Sequence, residues 1–187
     1  MISELGRALQ RLKADKQRQM LKPRDETELS FLGSDSERPG SFLYDTTVYV
    51  DILHGRFPEA DEAMLRVANA WHSAVAESEL ASLCALLDPA HPGTRNVINE
   101  IVAVVKRMPP YRHISPDREI WRSASILTGT IARLQRVPRQ DRRRTLNDAL
   151  IFATARKYGH TVLTRNVVDF DFLQQLDPSG KVMFYRV

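Results

Sequence analysis

Apolar residues along this chain fall into short runs separated by polar, breaker-rich stretches, and from Ser41 onward the runs alternate between strand-like and helix-like patterns. Residues 41–45 (SFLYD) read as a first strand ending on an acid, with Thr46 onward turning into a short helix that stops at His54-Gly55. An amphipathic helix is expected over residues 59–71, entered after Pro58, and it feeds a second strand at 73–76. Further helices are expected at 79–87, stopped by Asp88-Pro89, and at 94–107, capped by Thr94 and stopped by Pro109-Pro110. Residues 111–115 read as a strand, followed by a helix over 117–136. A run of small and apolar residues from Ala149 to Ala155 then suits a helix buried on most of its circumference, with Asp148 in its first turn and Gly159 at its end. The β-branched run 160–164 (HTVLT) predicts a short buried strand, closed by a turn at Arg165-Asn166, with a last helix over DFDFLQQL. Alternation of this kind predicts an α/β fold with a parallel sheet.

The first forty residues follow another pattern. Ile2, Leu5, Leu9 and Leu12 form one narrow apolar stripe on a basic helix spanning residues 2–21, although Gly6 weakens it. Residues 23–40 are polar and rich in breakers, and read as a linker. The chain therefore divides into an N-terminal helical extension and linker, 1–40, and a compact domain, 41–187. Truncation to Ser41 should then leave that domain folded.

Composition adds limits. With 187 residues, 43% of them hydrophobic, the chain can bury one sizeable core. The single cysteine, Cys84, excludes internal disulfides and multi-cysteine zinc sites, and its apolar neighbours predict a buried, inert thiol. No apolar run approaches the length of a membrane span, and the charged N-terminus lacks the core of a signal peptide, so a cytoplasmic location is expected. The net charge of +4 conceals segregation: residues 25–94 hold 13 acidic and 3 basic side chains, and residues 95–144 hold 12 basic and 4 acidic. Carboxylates suit divalent cations and arginines suit phosphates, whereas a solvated charged surface is the ordinary alternative.

Candidate chemistry sits at the ends of the expected strands. Asp45 follows the first, Glu79 follows the second, and Asp148 precedes the last buried strand, so all three can converge where a parallel sheet opens its crevice. Taken alone, Asp148 would serve as a helix cap. No His-x-x-x-His pair, Gly-x-Ser-x-Gly elbow or phosphate-cradling glycine loop occurs. Serine hydrolase and P-loop chemistry are thereby set aside.

The order of three strings is more specific: a strand ending in Asp45-Thr46-Thr47; Ser-Ala-Val-x-x-x-Glu-Leu from Ser73 to Leu80; and Asp-Ala-Leu-Ile-x-Ala-Thr-Ala from Asp148, followed by Gly-x-Thr-Val-Leu-Thr-Arg-Asn-x-x-Asp-Phe from Gly159. Together they resemble the PIN-domain nucleases, most closely the VapC-like toxin ribonucleases, over residues 41–187. The resemblance implies a PIN-like three-layer sandwich around a central, mostly parallel sheet, here with an N-terminal helical extension that such toxins usually lack. It implies Mg²⁺-dependent endoribonuclease activity, with Mn²⁺ able to substitute, an antitoxin partner and a homodimer. Asp45 and Asp148 would bind the metal directly, and Glu79 would help position it or the attacking water. The count from Ser73 selects Glu79 over Glu77, which is expected to be exposed, as is Asp51.

A fourth acid is open between two positions. Many relatives place it where Asn166 stands, and Asp169 lies three residues on, either lining the pocket as a water-mediated metal contact or capping the last helix. Asp171 is expected to be the more exposed of the two nearby aspartates. Thr46 is expected to hold Asp45 or a metal-bound water, and Arg142, Arg143 and Arg144, with Asn166, are the candidates for substrate contacts. A different class remains possible, in which a PIN-like fold binds nucleic acid or assembles with partners but cleaves little.

Overall fold

The computed structural model describes residues 3–33, 40–58 and 69–187. Five strands build one sheet: β1 (Ser41–Tyr44), β2 (Asn69–Ser73), β3 (His113–Ile114), β4 (Thr161–Thr164) and β5 (Lys181–Phe184), in the order β3-β2-β1-β4-β5. Every pairing among them is parallel. Among the described residues the α-helices are α1 (Glu4–Leu12), α2 (Thr46–Leu53), α3 (Ala74–Leu86), α4 (Thr94–Lys106), α5 (Arg118–Leu134), α6 (Arg142–Tyr158) and α7 (Val167–Leu176). A parallel sheet is covered on both faces, so its strands read as continuous apolar runs rather than alternations. Phe42, Leu43, Val162 and Leu163 are accordingly all buried. Helix α6 is buried continuously from Asp148 to Ala155, and its small side chains let it sit between α5, α7 and the sheet.

From β1 the chain moves outward to β2 and β3, then returns to place β4 on the other side of β1. This reversal of direction opens a crevice beyond the carboxyl ends of β1 and β4. Leu43 pairs with Trp71 on one side and Val162 on the other, which fixes Asp45 and Thr164 at the same end of the sheet.

Several boundaries differ from the sequence reading. The second strand covers Asn69–Ser73, and residues expected as strand at 74–76 are the first turn of α3, because Ser73 accepts a hydrogen bond from the Val75 amide and so caps the helix. Of the helix expected over 59–71, residues 59–68 lie outside the described residues, and 69–71 belong to β2. Helix α6 starts at Arg142, so Asp148 is its seventh residue and cannot cap it. Gly93, not Thr94, occupies the cap of α4, while the Thr94 hydroxyl donates to the Asp88 carbonyl at 2.6 Å. The strand expected over 111–115 is reduced to the two residues of β3 after a 3₁₀ turn, Pro110–Arg112.

The N-terminal residues are tied to the rest of the chain. Helix α1 ends at Leu12, where Lys13 takes a left-handed conformation with φ 49°. Of the apolar stripe, Leu12 is buried and Leu5 and Leu9 are exposed, and Ile2 lies outside the described residues. Within the stretch read as linker, residues 34–39 are likewise outside the described residues, but those before them dock closely. Arg24 donates from its backbone amide and its Nε to the carboxylate of Asp171, at 2.9 and 2.6 Å. The Phe184 amide donates to the Ser30 carbonyl at 2.8 Å, and Leu32 donates to the Phe184 carbonyl at 2.7 Å, so this segment runs alongside the edge of β5. After a 3₁₀ turn at Glu26–Glu28, capped by Asp25, the extended backbone offers amides and carbonyls to the sheet edge.

Candidate active site

Asp45, the residue after β1, is 3% exposed. Its Oδ2 accepts from the hydroxyls of Thr47 and Thr164, each at 2.7 Å, so the ends of β1 and β4 are joined through one carboxylate oxygen. Thr46, expected to hold Asp45 or a metal-bound water, donates to Glu79 Oε2, and Asn147 donates from Nδ2 to Glu79 Oε1 at 2.7 Å. Glu79 is thus pinned between the first turn of α2 and the residue before Asp148. Asp148 itself is 7% exposed, and Asn166 Nδ2 stands 3.5 Å from its Oδ2. The same Asn166 nitrogen donates to Asp169 Oδ2 at 2.8 Å.

These groups frame a cleft of about 530 Å³, lined among others by Asp45, Thr46, Glu79, Asn147, Asp148 and Asn166. Arg143, Arg144 and Arg165 line it as well. Arg142 does not: its Nε faces the Val137 carbonyl at 3.4 Å. Asp169 is also off the lining, in the first turn of α7, with Arg144 Nη2 3.8 Å from its Oδ2.

Burial is the largest influence on the two enclosed aspartates. It raises the pKa of Asp45, opposed by the Thr47 and Thr164 hydroxyls and reinforced by the charge of Glu79. Asp148 is pushed well above the usual carboxylate range by burial first, and then by Asp45, Asp169 and Glu79, against a smaller opposing effect of Arg144. Neighbouring carboxylates that resist joint ionisation are a setting that a divalent cation relieves. Among the described residues, no three acidic, histidine or cysteine side chains form a ready metal cage. Asp45 and Asp148 offer carboxylate oxygens, the ligand type that hard divalent cations take.

Other expectations fare differently. Asp51 and Asp171 are both fully buried, contrary to the exposure expected of them. Each is compensated by arginine: Asp51 by Arg165 at 2.7 Å and Arg56 at 3.1 Å, and Asp171 by Arg24. Arg56 is five positions from Asp51, but Arg165 and Arg24 are more than a hundred residues from the carboxylates they meet, which is why spacing gave no sign of them. Glu77 is half exposed and faces His113 Nε2 at 2.7 Å. Cys84 is only partly buried. Thr47, Thr164, Asn147 and Arg165 were missed as site residues, although Thr47 lies in the first turn of the helix after β1 and Thr164 ends β4, where such side chains meet.

No protein-family model matches the sequence, and no curated protein matches it. Solved structures do. A chain of VapBC2 from Rickettsia felis, a complex bound to a DNA fragment from its promoter, superposes with TM-score 0.55 at 14% identity, over 78% of this chain and 98% of that one. A chain of VapBC-5 from Mycobacterium tuberculosis, a member of the VapBC family of toxin-antitoxin systems, gives 0.52 at 20% identity, over 80% and 100%. A chain of FitAcB from Neisseria gonorrhoeae gives 0.54 at 21%, over 78% and 96%. The shared architecture is the PIN-domain fold, with the sheet in this chain wholly parallel.

Proposed function

We propose that this chain is a metal-dependent endoribonuclease of the VapC-like toxin type, held inactive by a protein antitoxin. The observation that carries this reading is the convergence of Asp45, Glu79 and Asp148 with arginines in one cleft at the switch point of a PIN-domain sheet. The fold shared with chains of toxin-antitoxin complexes supports the toxin and the antitoxin partner. The choice of RNA, the homodimer and Mg²⁺, with Mn²⁺ as substitute, follows the sequence resemblance. Among the described residues, no helix is long and apolar enough to cross a membrane.

Asp45 and Asp148 are the residues that would hold the cation, with Glu79 beside them. When bound, the cation would supply charge neutralisation at the phosphate and a more acidic water. The protein's own part is placement. Thr47 and Thr164 fix one oxygen of Asp45, Thr46 and Asn147 fix both oxygens of Glu79, and Asn166 sets Asp148 relative to Asp169. A carboxylate restrained in this way loses little further freedom when it engages a ligand. Arg143 and Arg144, on the first turn of α6, offer positive charge to the RNA backbone at the mouth. Arg142 lies outside the cleft and is left out of the contact set.

The test is incubation of purified protein with RNA and, separately, with DNA, each with Mg²⁺ and with excess chelator. Cleavage of RNA only when Mg²⁺ is present is expected, and cleavage that persists equally in chelator would sink the metal-nuclease reading. Retention of RNA binding without cleavage under any metal would favour the binding-module class. Asp169, bonded to Asn166 and off the cleft lining, gives a graded check. Asp169→Asn should raise the Mg²⁺ concentration needed for half-maximal cleavage by about tenfold, less than the loss in Asp148→Asn, as expected of a residue that orients a ligand. An unchanged Mg²⁺ titration with a lowered melting temperature would make Asp169 a structural element of α7.

A further inference from the structure

Arg165 follows β4 and enters the cleft between Thr47 and Asn166. Its backbone amide donates to Thr47 Oγ1 at 3.2 Å, and that hydroxyl donates to Asp45, so the residue is joined to the acid site through its main chain. Its side chain turns the other way for its anchor. Nε donates at 2.7 Å to Oδ2 of Asp51, a carboxylate with no exposed surface. Asp51 also accepts from the Tyr185 hydroxyl at 2.8 Å and lies 3.1 Å from Arg56 Nη2.

This cluster holds one negative charge against two positive ones. Burial keeps the Tyr185 hydroxyl protonated by raising its pKa, so Tyr185 contributes a donor and no charge. A residual positive charge is left, and its location follows from the geometry. Arg56 is outside the cleft lining, whereas Arg165 is on it and its side chain is 40% exposed. Among the described residues, no carboxylate other than Asp51 pairs with Arg165. Apart from Asp51 and the neighbouring Tyr185 hydroxyl its guanidinium faces the cleft, on a group whose Nε is held by a buried carboxylate. A guanidinium fixed at Nε presents its two Nη donors in a plane, the arrangement that suits two oxygens of one phosphate. The neighbouring arginines are less constrained, since Arg144 is 74% exposed and meets Asp169 only at 3.8 Å.

We propose that Arg165 contacts the non-bridging oxygens of a substrate phosphodiester in the cleft, with Asp51 as the residue that positions it. This inference rests on the nuclease reading for the identity of the reacting bond, but its central claim is a phosphate contact that can be measured without cleavage. It also accounts for a fully buried carboxylate at position 51, a place the chain could otherwise fill with an apolar residue at no electrostatic cost.

The experiment uses the full chain and a fluorescent single-stranded RNA, with binding followed by anisotropy in chelator over a series of salt concentrations. Each phosphate contact to a single strand contributes about 0.7 to the slope of log affinity against log salt. Arg165→Ala is expected to lower that slope by about this amount, and Arg165→Lys to keep it, while Arg7→Ala on α1 leaves it unchanged. In Mg²⁺, Arg165→Ala should lower kcat by about 100-fold with a smaller change in KM, and added guanidinium should restore part of the loss. An unchanged salt slope in a folded Arg165→Ala protein would overturn the proposal, whatever its activity. If the wild type cleaves no nucleic acid, the nuclease reading fails, and a reduced slope still establishes the phosphate contact.

Discussion

Replacing Asp148 by Asn is expected to lower Mg²⁺-dependent RNA cleavage by about 1,000-fold or more while raising the melting temperature of the metal-free protein. Both effects have one cause. The carboxylate is buried beside Asp45, Glu79 and Asp169, and burial together with their charge pushes its pKa well above the ordinary value of 3.8. Folding therefore favours the protonated form. Asp148 imposes no electrostatic cost at a pH below its unfolded value, and the cost grows as pH rises through the raised pKa, remaining in full above it. Metal-free wild type should accordingly gain stability as pH is lowered through that raised pKa toward the unfolded value. The gain ends where other groups protonate. Burial alone would raise Asp177, but hydrogen bonds from Ser179 and Arg11, with the charges of Arg11 and Arg156, hold it below its ordinary value. Its stabilising contribution is lost as pH falls through that depressed pKa. Thermal melts in chelator from about pH 4 to about pH 8 should show a maximum on the acid side for wild type, and a flatter upper limb for Asp148→Asn. Equal melting temperatures for the two proteins at pH 7 in chelator would show that the repulsion is not there to be relieved.

Arg24→Ala should produce the largest loss of stability of any single change in the N-terminal forty residues, about 3 kcal/mol. Asp171 has a side chain 1% exposed and takes two of its hydrogen bonds from Arg24, one from the backbone amide and one from Nε. Removing the guanidinium leaves a buried charge with the Arg24 amide and Gln175 Nε2 as its partners. For a chain of this size the change corresponds to a fall of roughly 6–12 °C in melting temperature. Truncation to Ser41 should cost more. It removes the contacts of Arg24 with Asp171 and Gln174, the Arg11 to Asp177 ion pair, and the pairing of residues 30–32 with Phe184. Because Asp171 lies on α7, the helix whose first turn carries Asp169, the truncated chain should also lose activity at temperatures where it is still folded. Melting within about 2 °C of wild type for Arg24→Ala would show that the segment contributes little to the fold.

Much of the domain could be read from local pattern. Strands β1 and β4, helix α6 and its glycine stop at Gly159 follow from apolar runs, small residues and a left-handed terminus, which neighbouring residues dictate. Boundaries were less legible where two states suit the same residues. The run AVA after Ser73 is apolar enough for a strand, yet Ser73 caps a helix there, and alanine favours the helix. The start of α6 was missed because arginines with no apolar periodicity form its first turn.

Side-chain partners divide more sharply. The residue types at the candidate site, acids after strands and arginines nearby, are properties of the sequence, and so is the charge segregation that supplies them. Which threonine holds which acid is not, since Thr46 and Thr47 are adjacent and point to different carboxylates, Glu79 and Asp45. Asp51 and Asp171 make the same point more strongly. Each looks like a surface aspartate among its neighbours, and each is met in the fold by an arginine more than a hundred residues away, Arg165 for the one and Arg24 for the other. Local pattern determined that this chain forms an α/β domain with acids at its strand ends. Tertiary structure decided which charges are enclosed and paired, because the cost of burying a charge depends on what the rest of the chain brings to it.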